Sequence, residues 1–368
     1  MSDRPAKEGF EVLHEFVEPA RKALSQETWD YLMGGGESET TLERNRVALD
    51  SLAFRPRVLR NVAKIDMTTE FLGAKMRLPI ILAPIGSLQD FCPAGGIAPM
   101  KAAARFGVLH MLSSVCKPGL EEVAAAAPGY PKLFQLYVRG NPDWVDERIA
   151  AAVANKYTGV ALTVDLDYYG RRERDLAKRY KPTARRASGN DGGGAGDPFQ
   201  AAFTWDDIKR IRKKFNVPLI LKGIATAEDA IIAVEHGVEV IYVSNHGGRQ
   251  LDHGLGGIEA LPEVVEAVRG RAKVVVDGGF MRGTDVVKAI ALGADAVGMG
   301  RLQGLALAAA GEDGVVRALE ILEDEIIRVL GLLGVTSFRE LDPRYLTEVA
   351  PISRPGVLGA YPLLDEGY

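Results

Sequence analysis

The chain has 368 residues, of which 47% are hydrophobic and 26% charged, an ordinary composition for a globular protein of one or two domains. A formal net charge of -4 offers no electrostatic footprint for nucleic acid, and no apolar run approaches the roughly 20 residues that cross a bilayer. The N-terminus is polar, and Cys92 and Cys116 show no metal spacing. We therefore expect a cytoplasmic protein with reduced cysteines, no metal site, no nucleic-acid partner and no membrane span.

Eight short apolar runs recur along the chain, most of them separated by helix-like amphipathic segments. Most runs are continuous rather than alternating, which is typical of strands buried on both faces. The predicted strands are residues 78–83, 108–113, 132–138, 160–165, 218–223, 238–244, 273–277 and 296–300. The helix-like segments include residues 94–106, 121–127, 142–155, 227–236, 262–268 and 282–292.

This alternation predicts an α/β protein with the architecture of a (β/α)8 barrel. A doubly wound open sheet is the alternative, but no Gly-x-Gly-x-x-Gly opens a helix after a strand. We predict a single domain over residues 1–368, in which residues 1–77 form a cap, 78–335 the barrel and 336–368 a tail. The cap begins with a helical section over residues 10–33, and an amphipathic helix over 315–333 packs on the barrel.

A long segment, residues 171–203, lies between the fourth and fifth predicted strands. It contains the one low-complexity patch of the chain, residues 192–196, with the sequence Gly-Gly-Gly-Ala-Gly. Loops of this length in a compact domain are usually lids or disordered. We predict a flexible loop here; a glycine-rich interaction module is the alternative.

The sixth predicted strand ends in the sequence Ser244-Asn245-His246-Gly247-Gly248-Arg249. A histidine can accept a proton near neutral pH, and an arginine can hold a carboxylate with two parallel hydrogen bonds. Two glycines between them allow a sharp turn and close approach to a ligand. A base beside a carboxylate clamp indicates chemistry on the carbon next to an acid group.

The ends of the other strands are also polar, and catalytic groups sit at the carboxyl ends of the strands in this fold. These ends carry Pro84-Ile85-Gly86, Ser113, Gln135 and Tyr137, Thr163 and Asp165, Lys222, Asp277-Gly278-Gly279 and Gly300-Arg301. A purely structural core has no use for so many polar groups. The loops after strands seven and eight commonly bind phosphate in such barrels, so Gly278-Gly279 and Gly300-Arg301 predict a phosphate site.

Several motifs are similar to those of one enzyme family. They are Phe54-Arg55-Pro56-Arg57, Phe134-Gln135-Leu136-Tyr137, Leu162-Thr163-Val164-Asp165, Gly170-Arg171-Arg172, Lys222-Gly223, residues 244–252, Asp277-Gly278-Gly279 and Gly300-Arg301. Between residue 29 and residue 309 the chain thereby resembles the FMN-dependent α-hydroxy acid oxidase/dehydrogenase family, which includes glycolate oxidase, lactate oxidase and mandelate dehydrogenase. The flavin domain of flavocytochrome b2 is another member.

The resemblance implies oxidation of an (S)-2-hydroxy acid to the 2-oxo acid, with His246 as the base. Asp165 would orient its ring and stabilise the imidazolium, and Tyr137 would hydrogen-bond the substrate oxygen. The implied substrate-binding residues are Tyr31, Tyr137, Arg172, His246 and Arg249. The resemblance leaves open whether the C–H bond breaks by hydride transfer or carbanion formation, and whether oxygen, a quinone or a cytochrome accepts the electrons. It also implies a homo-oligomer, a tetramer or octamer.

FMN is the implied cofactor. The residues that would hold its ring are Pro84, Ile85, Gly86, Ser113, Gln135, Thr163 and Ser244, with Lys222 at the N1–C2=O edge. Asp277 would bind the ribityl hydroxyls. The phosphate would be bound by Gly278, Gly279, Arg282, Gly300 and Arg301.

Six positions depart from the family pattern. Asp167-Tyr168 stands where many members have Pro-Arg, and Met281 where many have an arginine near the phosphate. Gly86 lies where some members carry alanine. Val115 and Ser87 replace larger groups of glycolate oxidase, so we expect a larger substrate pocket and a hydroxy acid with an aromatic or branched side chain.

The alternatives are another FMN-binding barrel enzyme of the isomerase type, a divergent member with a non-standard substrate, or an inactive flavin-binding protein of the same fold. An isomerase has no need of a carboxylate site built from His246, Arg172 and Arg249, so these three residues favour the oxidoreductase.

Overall fold

The fold is a closed barrel of eight parallel strands, described in a computed structural model over residues 9–183, 197–352 and 354–367. The strands, β1 to β8 in chain order, are Ile80–Leu82, Leu109–Ser113, Leu133–Leu136, Gly159–Thr163, Leu219–Ile224, Val240–Val243, Lys273–Val276 and Ala296–Met299. The last strand pairs with the first, with Val297 opposite Ile80. This closure confirms the predicted (β/α)8 barrel and rules out the open sheet.

The barrel interior is filled by apolar side chains to which all eight strands contribute. They are Ile81, Leu109, Met111, Leu133, Ala161, Ile220, Val240, Tyr242, Val275 and Ala296. Phe71 and Met76, from a hairpin of the strands Thr69–Phe71 and Ala74–Met76, join this cluster and close the amino end of the barrel. The barrel is therefore a packed core, and only its carboxyl end is free to form a site.

Helices surround the barrel and cover its carboxyl end. Those before β1 are Val17–Ala23, Gln26–Met33 and Thr40–Asp50, preceded by the 3₁₀ turn Leu13–Phe16. Those that follow are Leu88–Phe91, Ile97–Phe106, Leu120–Ala126, Pro142–Ala154, Glu173–Ala177, Pro198–Ala201, Trp205–Lys214, Ala227–Glu235, Gly257–Val268, Gly283–Ala291 and Arg301–Leu333. The last is kinked at Ala310 and Gly311. Among the described residues, no helix is both long and apolar enough to cross a membrane.

The sequence did not reveal five of these helices, of which three are short: Leu88–Phe91, Glu173–Ala177 and Pro198–Ala201. It also set two starts too late, since the helix predicted over 315–333 begins at Arg301. Thr40–Asp50 shows little apolar periodicity, whereas Trp205–Lys214 places its few apolar residues on one face among many charged ones. The predicted segment 262–268 begins at Gly257 in the structure, and Pro262 lies inside this helix, where it lacks the N–H that would donate to the Ile258 carbonyl. The glycine patch, residues 192–196, lies outside the described residues.

The N-terminal and C-terminal segments pair with each other. The short strands Leu52–Phe54 and Leu346–Glu348 are antiparallel neighbours, and the Tyr361 hydroxyl donates a hydrogen bond to the Met281 carbonyl at 3.0 Å. The tail therefore packs against the cap and the loop after β7.

Two backbone features bring the catalytic strand ends together. A register shift between β5 and β6 falls at Gly223, where an added Cβ would lie 2.7 Å from that of Asp165. Gly248 has a φ of +71°, and a Cβ there would lie 2.6 Å from the backbone of Leu42. Only glycine allows the helix Thr40–Asp50 to approach the loop after β6 this closely.

Candidate active site

A cavity of about 450 Å³ opens at the carboxyl ends of the strands. Most of the predicted site residues line it: Tyr31, Pro84, Ile85, Gly86, Tyr137, Arg172, Lys222, His246, Arg249, Asp277, Gly278, Gly279, Gly300 and Arg301. Asp165, Ser113, Gln135, Thr163 and Ser244 lie behind this surface. The described lining includes six Lys or Arg residues and two Asp residues, so the cavity selects for anions.

His246 is held between an acid and a phenol. Its Nδ1 lies 3.0 Å from Asp165 Oδ1, and its Nε2 lies 3.4 Å from the Tyr137 hydroxyl. The backbone of His246 has a φ of +57°, and its N–H donates to the Ser244 hydroxyl at 3.0 Å. A left-handed backbone is uncommon for a residue with a side chain and is retained where the surroundings fix it. The arrangement fixes the ring with Nδ1 toward the carboxylate and Nε2 toward the cavity.

Burial sets the protonation of this pair. The pKa of His246 is lowered overall, mainly because burial disfavours the charged imidazolium. Asp165 raises this pKa, whereas the positive charges of Lys222 and Arg172 lower it further. Burial raises the pKa of Asp165, but the attraction of His246 and Lys222 outweighs burial and the net pKa is lowered. At neutral pH the pair is therefore a neutral imidazole beside a carboxylate, which is the form that a base requires.

Two guanidinium groups face the same space as His246. Arg249 donates to the carbonyl oxygens of Tyr31 at 2.6 Å and Gly34 at 2.8 Å, and it stacks over the Tyr31 ring. Arg172 lies over the Tyr169 ring and donates to its hydroxyl, while its Nε has no hydrogen-bond partner among the described residues. Burial lowers the pKa of Arg249, and the positive charge of Arg172 adds to this. Because Arg172 and Arg249 repel each other, an anion bound between them would be stabilised by both charges.

Lys222, Ser244 and Asp277 form a buried network at the ends of β5, β6 and β7. The Lys222 ammonium donates to the Ser244 hydroxyl at 2.8 Å, and that hydroxyl donates to Asp277 Oδ1 at 2.7 Å. Lys222 Nζ also lies 3.3 Å from Asp277 Oδ2. Both charged side chains line the cavity, so each also has a face toward a bound molecule.

Two buried polar atoms without hydrogen-bond partners test whether a flavin ring fits the cavity. Among the described residues, Ser113 Oγ and Gln135 Oε1 have no hydrogen-bond partner, although both are fully buried. Gln135 Nε2 donates to the Thr163 hydroxyl at 2.8 Å, which fixes the amide with its oxygen free. Buried polar atoms are rarely left unpaired, so these two need partners from a ligand. A flat ring with alternating donors and acceptors supplies them, and the residues present fit FMN.

The phosphate end of the cavity combines a helix N-terminus with one arginine. Gly300 precedes the helix Arg301–Leu333, whose first N–H groups have no partner within the helix. The Arg301 side chain donates to the carbonyls of Leu32, Gly34 and Gly247 at 3.2, 2.7 and 2.9 Å. Burial lowers its pKa to about 9, so it remains charged at neutral pH.

The position of Arg282 differs from the prediction. Its guanidinium lies 2.9 Å from Glu325 and does not line the cavity. The cause is local, since Arg282 is the N-cap of the helix Gly283–Ala291 and its side chain turns toward the helix Arg301–Leu333. Met281 lines the cavity and contributes no charge. Arg301 is therefore the only predicted phosphate-binding cation whose described position fits.

Ser87 also differs from the prediction. It is fully buried, is absent from the cavity lining and shares a hydrogen bond with the Tyr31 side chain. Ser87 therefore positions Tyr31 and does not enlarge the pocket, whereas Val115 does line the cavity.

Sequence reasoning did not find Arg46. This side chain, 2% exposed, donates to both oxygens of Asp285 at 2.8 and 2.9 Å and to the Gly279 carbonyl at 3.2 Å. Asp285 in turn accepts the backbone N–H groups of Met281 and Arg282. Arg46 and Asp285 thus fix the loop after β7, and a charged residue in a polar helix gave no signal of this role.

Three further polar side chains support the site, in roles that were not predicted. Asn45 and Asn245 exchange amide hydrogen bonds at 2.8 and 3.2 Å. Gln250 donates to the carbonyls of Asp165 and Tyr168 at 3.0 and 2.9 Å. Because Gln250 follows Arg249 directly, its amide links the arginine loop to the segment that carries Asp165.

Comparison with known proteins decides the family. The family model for FMN-dependent dehydrogenases matches residues 20–348. The chain belongs to this family. It is 40% identical over 348 residues to glycolate oxidase 1 of Zea mays, covering 90% of this chain and 94% of that protein. It is 36% identical over 354 residues to L-lactate oxidase of a Nostoc species, covering 91% and 97%.

Solved structures agree with the assignment of this chain to the family of FMN-dependent dehydrogenases. A mandelate oxidase variant with (S)-mandelic acid has a TM-score of 0.85 and 36% identity, covering 93% of this chain and 99% of that one. Mandelate oxidase with (S)-2-phenylpropionate has a TM-score of 0.84. The predicted family, the FMN cofactor and the class of FMN-dependent 2-hydroxy acid oxidoreductase are confirmed.

Proposed function

We propose that this dehydrogenase oxidises an (S)-2-hydroxy acid to the 2-oxo acid with His246 as the base. The observation that carries this role is the position of Nε2, which lies on the cavity side of a ring whose Nδ1 is 3.0 Å from Asp165. With Nδ1 protonated and held by the carboxylate, Nε2 is free to take a proton from the substrate hydroxyl or α-carbon. The negative charge of Asp165 then stabilises the imidazolium that results.

Arg172 and Arg249 bind the substrate carboxylate. Both line the cavity beside His246, and Arg172 has an unpartnered buried Nε among the described residues. A guanidinium binds a carboxylate with two parallel hydrogen bonds, which fixes the orientation of the α-carbon. Tyr31 is buried beneath Arg249, and Tyr137 presents its hydroxyl to the substrate oxygen beside His246 Nε2.

The cofactor FMN, when bound, accepts the two electrons that leave the α-carbon. Lys222 and Asp277, with Pro84, Ile85 and Gly86, would contact the ring and ribityl chain from the cavity surface. Ser113, Gln135, Thr163 and Ser244 would bind the ring from behind. Gly278, Gly279, Gly300 and Arg301 would hold the phosphate.

Three finer assignments stay proposals. Oxygen, a quinone or a cytochrome accepts the electrons, which reoxidation of the reduced enzyme by each acceptor distinguishes. The chain forms a homo-oligomer, a tetramer or octamer, which light scattering measures. It is cytoplasmic, a prediction compatible with two free cysteines among the described residues.

Anaerobic reduction of the flavin tests the activity. Glycolate, lactate, mandelate and a branched 2-hydroxy acid are added in turn to the purified holoenzyme, and the absorbance of oxidised flavin and the 2-oxo acid formed are followed. At least one acid should reduce the flavin with one equivalent of 2-oxo acid, while the matching alcohol without the acid group should not. Reduction by none of them would contradict the proposal.

A further inference from the structure

Arg139 is a positively charged residue of the active-site cavity that has no role in the proposed reaction. It lies two residues after Tyr137, whose hydroxyl contacts His246, and both side chains line the cavity. Within the described part of the chain, Arg139 forms no ion pair and no hydrogen bond; its recorded contact is with the ring of Trp144. A guanidinium at a cavity wall without an acceptor is available to a ligand.

The contact with Trp144 holds the guanidinium without using its donors. Arg139 Cζ lies 4.7 Å from the centre of the indole ring. Stacking of this kind uses the face of the guanidinium and leaves its N–H groups, which lie in the plane, free to bind a carboxylate. The main chain that carries the ring is fixed in turn, because Trp144 is in the first turn of the helix Pro142–Ala154 and its backbone N–H donates to Oδ1 of the capping Asn141 at 2.9 Å.

The other charges of the cavity already have partners or tasks. Asp277 is paired with Lys222, and Asp197 accepts the backbone N–H groups of Phe199 at 2.9 Å and Gly140 at 3.3 Å. Arg172 and Arg249 are assigned to the α-carboxylate. Arg139 is left as a separate site for a second anionic group.

Part of the cavity lining is apolar. It includes Phe91, Val115, Leu166, Pro182 and Pro198. Such a wall suits a hydrocarbon side chain, which gains favourable contacts by filling it. These side chains line the same cavity as Arg139, Arg172 and Arg249.

We propose that Arg139 binds a second carboxylate at the far end of the substrate side chain, so that the preferred substrates are 2-hydroxy dicarboxylic acids. This inference rests on the proposed function, because it concerns the substrate that binds in the same cavity. A neutral aromatic side chain would also contact the apolar wall, but it would leave the N–H groups of Arg139 with water alone.

The experiment compares acids of equal chain length. Anaerobic flavin reduction is measured with 2-hydroxyglutarate against 2-hydroxypentanoate, with 2-hydroxyadipate against 2-hydroxyhexanoate, and with mandelate. Because a hydrogen bond to a charged group contributes about 1.5–3 kcal/mol, the wild-type enzyme should favour the diacid by about 10- to 150-fold in the reduction rate constant divided by the substrate dissociation constant. Arg139→Met should abolish this preference.

Arg148→Met is the matched control. Arg148 also lies over the Trp144 ring, at 5.8 Å, but it does not line the cavity. This variant should keep the preference for the diacid. An equal loss in both variants would show that Arg139 acts through Trp144 or through general charge, and would overturn the inference.

A binding measurement separates this inference from the activity. Calorimetric titration of the oxidised holoenzyme with 2-oxoglutarate and with 2-oxopentanoate should show tighter binding of the diacid, and Arg139→Met should remove the difference. Equal affinities in the wild-type protein, a diacid preference that survives Arg139→Met, or a preference for mandelate would overturn the role of Arg139. Failure of every 2-hydroxy acid to reduce the flavin would instead contradict the proposed function.

Discussion

Asp165 and His246 follow β4 and β6, strands that are not neighbours, yet their Oδ1 and Nδ1 atoms lie 3.0 Å apart. β5 lies between them, and the register shift at Gly223 leaves room for the Asp165 side chain because glycine has no Cβ to meet it. The side chains are 14% and 15% exposed, so solvent screens the pair only weakly. The carboxylate therefore controls both the orientation and the protonation of the ring.

Asp165→Asn should move the pH profile of flavin reduction toward lower pH. Asp165 raises the pKa of His246, so removing its charge lowers that pKa further, and the neutral base persists at lower pH. The maximal rate should fall about 10²-fold or more, because the imidazolium loses its counter-charge. Stopped-flow reduction across pH measures both effects. Asp167→Asn, a change two residues away, should leave the profile in place, and an upward shift in Asp165→Asn would refute the assignment.

Arg249→Lys should weaken substrate binding although the positive charge is kept. An ammonium cannot reproduce the planar two-point contact with a carboxylate, so we expect the dissociation constant to rise about 10-fold or more. The saturation of the anaerobic reduction rate with substrate concentration gives this constant. If Arg249→Lys bound the hydroxy acid as tightly as the wild type does, Arg249 would have no part in carboxylate recognition.

Arg46→Met should destabilise the protein and weaken FMN binding together. Removing one partner of a buried ion pair costs about 3–5 kcal/mol, since Asp285 would keep an unpaired charge. The loop from Gly279 to Arg282 would then lose its anchor. Urea unfolding of the apoprotein and fluorescence titration with FMN measure the two effects. Arg328→Met, which removes an exposed pair with Asp324, should change neither. Unchanged unfolding of Arg46→Met would contradict this account.

Gly300→Val should prevent FMN from binding without unfolding the chain. A Cβ at Gly300 would meet nothing within 4 Å, and its φ of -99° is open to any residue, so the new side chain would point into the phosphate cradle. Affinity for FMN should fall at least about 10-fold, while the unfolding free energy of the apoprotein stays within about 0.5 kcal/mol. Normal FMN affinity in this variant would place the phosphate elsewhere. Gly298→Val, whose Cβ would meet the Tyr242 hydroxyl, should instead destabilise the fold.

The barrel and most of the site were predictable because strands buried on both faces are continuous apolar runs. In a parallel barrel, the residue after each run lies at the same end, so His246, Lys222 and Asp277 could be brought together without coordinates. Side-chain direction at a helix start was not predictable, and Arg282 therefore turned out to pair with Glu325. Arg46 was missed because a helix with little apolar periodicity does not show which face is buried.

His246→Gln tests the central claim most directly. Glutamine can keep hydrogen bonds to Asp165 and Tyr137 but cannot accept a proton at neutral pH, so only the base is removed. We predict that the purified variant retains FMN and that its anaerobic flavin reduction by the best 2-hydroxy acid is about 10²–10⁴-fold slower than in the wild-type enzyme. Reduction at a near-normal rate, with FMN bound, would contradict the assignment of His246 as the base.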